Sequence, residues 1–376
     1  MPETPDRPSE IAAPASLTPV SRAPEPRARL RHALGVVAKA AIALAALYIA
    51  WRLAAGIRWS DLAARLAGAS WTLVALAVLF LAVRFAAWDL RFRLAAARVT
   101  GGRSRAPFGF SVLLASAALN LLNPAARLLG GPLRARHFAR ATGRSFGLFY
   151  GIVLYDQLVH QATISLCTVV SLAAVALAAG HRALGWGAYG LLAAVAGGLV
   201  LWSRKSGPFA GSPLARFLAR RAARQDSRLQ RLYVHGQEAV STFVSLVADR
   251  GMGLRAVALG GGLFLANAVA QWLVFRALGE SVGVLPVIAV VALGNAAGML
   301  MGTPGGIGTT EATMVAAYVA LGVDRVSAGA ATLLFRGLHY ALVIAVGGPA
   351  LVGLEVKAAL SAAKKPAAEA RRRRAA

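Results

Sequence analysis

The chain has 376 residues, of which 57% are hydrophobic and 15% charged, and its mean hydropathy is +0.60. This composition, together with repeated uncharged runs long enough to cross a bilayer, excludes an ordinary soluble protein and indicates several membrane spans. The net charge of +26 comes from Lys and Arg that cluster in loops and tails. The positive-inside rule and contact with anionic lipid account for that distribution, so nucleic acid is not expected as a partner.

The two ends of the chain differ in composition from its centre. Residues 1–28 are rich in Pro, Ala and charge without an apolar face, which predicts a disordered cytoplasmic tail. Residues 29–357 are expected to form one transmembrane domain, and residues 358–376 a basic cytoplasmic tail. Within the domain, 204–254 places apolar residues at helical spacing with arginines between them. That pattern predicts a basic amphipathic cytoplasmic loop lying on an anionic leaflet, although a solvated linker helix would show it too.

Apolar runs predict full membrane crossings along the domain. The second run is followed by a predicted basic loop at 89–106, and Arg84 near the end of that run is expected to snorkel toward the interface. The predicted crossings are about 34–51, 71–88, 147–179, 184–202, 256–278 and 326–354.

Two further apolar segments end in helix-breaking sequences. Residues 107–123 end at Asn120-Leu-Leu-Asn123-Pro124, and 284–301 continue into Gly302-Thr-Pro-Gly-Gly-Ile-Gly-Thr-Thr-Glu311. Pro removes a backbone donor and Gly is the poorest ordinary helix former, so neither segment continues as an undisturbed helix. Broken backbone at membrane depth occurs only inside protein or beside a water-filled cavity, which makes both breaks candidates for a substrate path.

The charge distribution predicts how these segments cross. Suppose that each broken segment returns to the side of the membrane from which it entered, the first from the cytoplasmic side and the second from the outer side. Every large basic segment and both termini are then cytoplasmic. The predicted fold is therefore all-α: a polytopic transmembrane helical bundle of about six to eight spans with two broken or re-entrant helical hairpins. The alternative is that one or both hairpins cross fully, which gives roughly eight to nine spans.

The motif Pro304-Gly305-Gly306-Ile-Gly308-Thr-Thr-Glu311 resembles the PGGxGxxE signature of the lysylphosphatidylglycerol synthase transmembrane region, a flippase-like integral membrane family. The earlier break is similar to that family's other motif, in which Pro is followed by Gly, an acidic residue and Arg-Ala. Here Gly131 stands where the acidic residue is expected, and Arg134-Ala135 follow. The resemblance covers most of residues 30–357. It implies a multi-pass inner-membrane protein, in some members coupled to a soluble aminoacyl-transferase domain. That domain is not expected here, because a short basic tail follows residue 357.

The candidate substrate-binding residues lie at the two breaks and on the last predicted span. Arginine offers a planar fork that fits phosphate, and Glu311 could pair with Arg336, cap the following half-helix or bind a cationic headgroup. Cytoplasmic surface charge is the alternative role for Arg127 and Arg134. The full candidate set is Arg127, Arg134, Pro304, Gly305, Gly306, Gly308, Glu311 and Arg336.

Other ionisable residues in the apolar runs suggest a proton relay. Asp156 and His160 are four residues apart and share a helix face, and His339 lies in the last predicted span. Asp156 could instead lie at the cytoplasmic interface. The sequence has one cysteine, Cys167, and no HExxH or clustered Cys/His motif, so neither a metal nor another cofactor is expected.

The resemblance and the broken segments favour a lipid translocase over an enzyme. It would move the headgroup of an anionic or zwitterionic phospholipid, or of another lipid-linked molecule, through a polar path between the two breaks. A membrane-embedded lipid glycosyl- or acyltransferase is the first alternative, although Asp226 and Glu238 lack the spacing of such catalytic motifs. An accessory subunit of a lipid-modification pathway is the second. Membrane lipid is the expected partner, and formation of a homo-oligomer is left open.

Overall fold

The computed structural model describes residues 59–102, 104–122, 129–178, 227–300 and 306–357, all within the compact unit Ala45–Ala376. Every regular element in these ranges is helical. The last helix passes through a π-helical turn, Val343–Gly347, and continues to Lys357. The helices are α1 Trp59–Ala67, α2 Trp71–Thr100, α3 Ala106–Leu122, α4 Gly130–Thr142, α5 Phe146–Ala178, α6 Ser227–Ala248, α7 Arg250–Ala277, α8 Val284–Leu300, α9 Thr309–Ala320 and α10 Arg325–Leu342.

Four of the described helices are long and apolar enough to cross a membrane: α2, α5, α7 and α10 with its continuation. At 1.5 Å per residue, a helix of this length extends at least about 40 Å, beyond the hydrocarbon thickness of about 30 Å. The 13 residues of α4 and the 12 residues of α9 extend only about 20 Å, too short to cross. The protein is therefore a multi-pass helical membrane bundle that also contains short, partial-length helices.

The long helices α2 and α7 lie antiparallel against each other. At one end of the pair, the Ser70 amide donates to the Ala277 carbonyl at 2.8 Å. At the other end, the Arg98 guanidinium donates to the Asp249 carboxylate at 2.6 Å. These contacts define two ends of the bundle, hereafter the Ser70 end and the Arg98 end.

Helices α3 and α4 form a hairpin, hairpin 1, that enters and returns at the Arg98 end. Its tip is closed by the Gly130 amide, which donates to the Asn120 side-chain oxygen at 2.9 Å. A Cβ on Gly130 would lie 2.6 Å from the Ser116 carbonyl oxygen, so only glycine allows this approach of the two helices. Thr142 at the end of α4 lines the same cavity as Thr100 at the end of α2, which places both ends of hairpin 1 together.

Helices α8 and α9 form hairpin 2, which enters and returns at the Ser70 end. Gly298 faces Thr310, and a Cβ on Gly294 would lie 2.5 Å from Met314. At the base of this hairpin, Arg65 forms ion pairs with Glu280, before α8, and with Asp324, after α9.

The two hairpins therefore enter from opposite ends, as the charge distribution predicts. Residues 123–128 and 301–305 at their tips lie outside the described ranges, as do the predicted crossings at 34–51 and 184–202.

The described helices repeat one arrangement twice, although the sequence shows no matching repeat. In each half, a leading helix is followed by a long helix, a hairpin of two short helices and another long helix: α1–α5, then α6–α10. The contacts between helices repeat as well. The leading helix of each half packs on the last helix of the other half: α1 on α10, and α6 on α5. The first hairpin helix does the same, because α3 packs on the π-helical turn that follows α10, and α8 packs on α5. Because α2 and α7 are antiparallel, the halves are inverted relative to each other, an architecture known from transporters.

Among the described helices, the end of the second predicted span differs most from the sequence-based expectation. The second span was predicted to end near residue 88 with a basic loop after it, but α2 continues unbroken to Thr100 and ends at Gly101 in a left-handed conformation. Arg91 and Arg93 therefore lie on a helix. Both arginines form ion pairs with buried carboxylates, Arg91 with Asp156 and Arg93 with Asp89, so their charges do not end the helix.

Candidate functional site

Glu311 is held at the start of α9 by the broken backbone of the glycine-rich motif. Gly306 and Gly308 have φ values of +73° and +84°, a left-handed conformation that glycine adopts without strain. This turn brings the Gly308 amide to 2.8 Å from Glu311 Oε2, so the carboxylate caps its own helix.

The second carboxylate oxygen of Glu311 faces α10. Arg336 Nε donates to Glu311 Oε1 at 2.6 Å, and the Tyr340 hydroxyl donates to the same oxygen at 3.0 Å. The Arg336 guanidinium also contacts the Tyr340 hydroxyl and lies 4.7 Å from the centre of its ring. Glu311 is thus both a cap and the partner of Arg336, two of the three roles that the sequence allowed it.

His339, on the same helix as Arg336, connects this group to α2. Its Nδ1 lies 2.9 Å from Arg84 Nη1, and its ring stacks on Phe85 with centroids 5.5 Å apart. Arg84 was predicted to snorkel to the interface, but it lies about 20 Å along α2, near the middle of the helix. Arg84 is near the middle because α2 continues to Thr100, and there it contacts His339 of α10.

Trp88, one turn after Arg84, joins α2 to α5. Its ring is stacked on His160 with centroids 5.3 Å apart, and its Nε1 donates to Asp156 Oδ2 at 2.8 Å. The predicted pair Asp156 and His160 therefore meets one tryptophan from the same helix face.

Asp156 is the centre of a buried charge cluster. Arg91 Nε donates to its Oδ1 at 2.7 Å, and Arg134 Nη2 donates to its Oδ2 at 2.8 Å. All three side chains are at least nine-tenths buried. Arg134 and Asp156 are therefore interior side chains of the bundle, and Arg134 is not exposed surface charge.

The cluster holds more positive than negative charge. Arg91 and Arg134 share one carboxylate, while the neighbouring Asp89 is bonded to Arg93 at 2.6 Å. Arg91 Nη1 is buried and has no hydrogen-bond partner among the described residues. Arg134 also lies 3.7 Å from the centre of the Phe92 ring, a cation–π contact that holds the guanidinium in place.

These groups form one polar series from hairpin 2 to hairpin 1. At 1.5 Å per residue, Arg336 lies about 16 Å from the start of α10, which is at the Ser70 end. Asp156 lies about 15 Å from the start of α5, which is at the Arg98 end. Arg84 and Trp88 lie between them on α2. Ionisable and aromatic side chains therefore line the interior on both sides of the middle of the bundle, where unpaired charge would be costly.

The structure brings together most of the residues singled out in the sequence. Arg134, Asp156, His160, Glu311, Arg336 and His339 belong to the series, and Gly306 and Gly308 shape its end. Arg127, Pro304 and Gly305 lie outside the described residues. In the described ranges, no group of three or more His, Cys, Asp or Glu residues is placed to hold a metal ion.

Sequence reasoning missed Arg91, Trp88 and Tyr340. Arg84, Trp88 and Arg91 are spaced four and three residues apart, which places them on one helix face. That spacing was the available signal, but it was hidden because the span was predicted to end at residue 88. Tyr340 follows Arg336 by four residues and could have been found in the same way.

Comparison with known proteins agrees with this architecture. An 84-residue segment, 22% of the chain, is 33% identical to a "UPF0104 membrane protein" of Methanothermobacter thermautotrophicus and spans a quarter of that relative's length. The profile of the family described as "Lysylphosphatidylglycerol synthase TM region" matches residues 36–347, which include both hairpins and the whole polar series. The chain belongs to the family of the lysylphosphatidylglycerol synthase transmembrane region.

Proposed function

We propose that this protein is a lipid translocase, which moves a phosphate-bearing lipid headgroup between leaflets along the polar series. The observation that carries the proposal is the buried cluster of Arg91, Arg134 and Asp156, with its excess positive charge and with a donor, Arg91 Nη1, that has no partner in the described part of the chain. A guanidinium that is preoriented in a low-dielectric site matches a phosphate oxygen in charge and geometry.

The remaining residues would act around that contact. Asp156 holds Arg91 and Arg134 in place until a phosphate shares their donors. Trp88, His160 and Phe85 offer ring faces and polar edges between the two charged groups. Glu311 and Arg336 would receive the headgroup toward the Ser70 end, where the carboxylate could exchange Arg336 for a cationic headgroup. Arg127 and the motif from Pro304 to Gly308 are proposed to line the same path.

Inverted halves with opposed hairpins suit alternating exposure of one path to the two leaflets. Either an ion gradient drives the movement or transport is passive. The Asp156, His160 and His339 group is the proposed relay if protons are the coupling ion.

The basic side chains suggest which end faces the cytoplasm. Five arginines lie near the Arg98 end: Arg98, Arg105, Arg140, Arg144 and Arg250. At the Ser70 end, Glu280 and Asp324 accompany Arg65, Arg276 and Arg325, whereas at the Arg98 end the five arginines outnumber the nearby carboxylates Asp249 and Glu238. From the positive-inside rule, we propose that the Arg98 end faces the cytoplasm and that both termini lie on that side of the inner membrane.

The test is reconstitution of the purified protein into liposomes with headgroup-labelled lipids of several classes. We expect a membrane-impermeant reductant to reach label from the inner leaflet faster than in protein-free liposomes. Arg134→Gln should lose most of that rate. Arg140→Gln is the matched control, because it removes an exposed arginine from the same helix. If every lipid class stays unmoved, with and without a pH gradient or membrane potential, the translocase proposal is wrong.

A further inference from the structure

A cavity opens at the base of hairpin 1, at the Arg98 end of the bundle. Its volume is about 230 Å³, several times the space that one water molecule needs. It lies where the ends of α2 and α4 meet the starts of α3 and α5. The lining residues are Ala96, Thr100, Gly102, Ser104, Phe138, Thr142, Arg144 and Phe149.

The polar groups of this cavity favour an anion. Arg144 supplies the guanidinium donors, and the lining residues include no carboxylate. Ser104 Oγ is buried without a hydrogen-bond partner among the described residues. The hydroxyls of Thr100 and Thr142 already donate to the carbonyls of Ala96 and Phe138, each at 2.8 Å. Among the described residues the Ser104 hydroxyl therefore remains unpaired, and it lies across the hairpin base from Arg144.

The rings of Phe138 and Phe149 form the floor of the cavity. Phe138 packs edge-on against Phe92, with centroids 4.9 Å apart, and its ring is tilted against that of Phe149, with centroids 5.6 Å apart. Phe92 in turn contacts the Arg134 guanidinium. Two successive phenylalanine rings, the Phe92–Phe138 layer, therefore separate the cavity from Arg134 of the buried cluster.

We infer that this cavity is a phosphate-binding vestibule, where the headgroup phosphate binds before it passes the Phe92–Phe138 layer to reach Arg134. Its place on the transport path rests on the proposed translocase function, whereas its affinity for phosphate does not. Ser104 and Arg144 bind the phosphate oxygens, and the phenylalanines exclude water from the arginine cluster while the vestibule is empty.

The experiment uses a cysteine at Ser104 as the reporter. The full-length Cys167→Ala/Ser104→Cys protein, which retains no native thiol, is treated with methanethiosulfonates that carry either a sulfonate or a trimethylammonium group. We expect the anionic reagent to react about tenfold faster than the cationic one, because Arg144 concentrates anions in the vestibule. Adding Arg144→Gln should remove most of this preference, whereas Arg140→Gln should preserve it. Thr142→Cys, on the exposed rim, is the second reporter if Ser104→Cys does not fold.

The probes for the ligand are inorganic phosphate and a short-chain phosphatidylglycerol. Slower modification with the lipid at a concentration where inorganic phosphate has no effect identifies a headgroup site, and equal protection by both identifies a general phosphate site. The inference is overturned if neither probe protects the cysteine, or if Arg140→Gln and Arg144→Gln lower the anion preference equally. Protection without lipid movement in liposomes would overturn the translocase alone. Movement without protection would overturn the vestibule alone.

Discussion

The two halves of the bundle use the same helical arrangement but place their buried charges in opposite ways. In the second half, the carboxylate is on the short helix: Glu311 of α9 binds Arg336 of α10. In the first half, the arginine is on the short helix: Arg134 of α4 binds Asp156 of α5. The partners lie at similar depths, but the positions of the acid and the base are exchanged.

The exchange changes the net charge at each site. Glu311 meets Arg336 one to one, and it also caps its own helix. Asp156 holds both Arg134 and Arg91, which leaves one positive charge in excess. Two halves that are alike in fold are thus unlike in chemistry, and the first half is the better site for an anion.

The comparison predicts that Asp156→Asn has the largest effect of any single substitution in the series. It leaves two buried arginines without a carboxylate, so we expect a loss of about 3–5 kcal/mol in the free energy of unfolding. Thermal unfolding in lipid–detergent micelles measures this. The comparison variant Arg134→Gln should lose less free energy of unfolding, because Asp156 keeps Arg91 as its partner. If the two variants are equally stable, Asp156 is not the shared partner of two arginines.

Glu311→Gln is expected to have a smaller effect, about 2 kcal/mol, because the amide oxygen still caps α9 while only one arginine loses its carboxylate. The double variant Glu311→Arg/Arg336→Glu imitates the first half. It should be more stable than either of its single variants, but less stable than the wild type, because it restores the ion pair and not the cap. Additive losses in the double variant would show that the pair is not coupled.

The sequence predicts the architecture well because its strongest signals are physical constraints on chains in lipid. Uncharged runs must be helical, and the Gly/Pro breaks must be buried, so the hairpins and their opposed entry could be inferred from the breaks and the charge distribution. The inverted repeat could not be inferred in this way, because the halves share helix order and contacts but no matching residues.

The site is predicted only in part, for a reason that Arg91 illustrates. Local charge density suggested a loop after residue 88, whereas burial beside Asp156, 65 positions later in the chain, keeps that segment helical. A long-range ion pair overrides a local signal, and no local pattern shows that the partner exists. Glu311 and Arg336 were easier to find, because a recognisable motif marks the carboxylate.

The hairpin tips should differ in their tolerance of a methyl group. Gly130→Ala would bring a Cβ within 2.6 Å of the Ser116 backbone oxygen, which cannot rotate away, so we expect a loss of about 1–3 kcal/mol. Gly298→Ala meets the Thr310 hydroxyl, a side chain that can change rotamer, and should cost less. Gly261→Ala on α7 is the control, because nothing lies within 4 Å of its Cβ. Thermal unfolding should therefore rank Gly130→Ala lowest and Gly261→Ala highest, and the reverse order for the two tips would show that hairpin 2 is the more tightly packed.

The smallest expected difference concerns the first long helix of each half. Asp249 caps α7 by accepting from the Met252 amide at 2.9 Å, whereas Ser70 at the start of α2 makes no side-chain capping bond. The Met252 amide, and then the Arg98 side chain, lower the pKa of Asp249 below its ordinary value. A carboxyl whose pKa is lower in the folded protein stabilises it fully above the unfolded-state pKa of about 3.9, and this contribution is lost as the pH falls through the folded-state pKa.

Asp249→Asn keeps the cap and removes the titration, so its melting temperature should fall less steeply than that of the wild type between about pH 5 and pH 3. Ser70→Ala should follow the wild-type curve, and an equally flattened curve for that variant would show that the slope arises elsewhere.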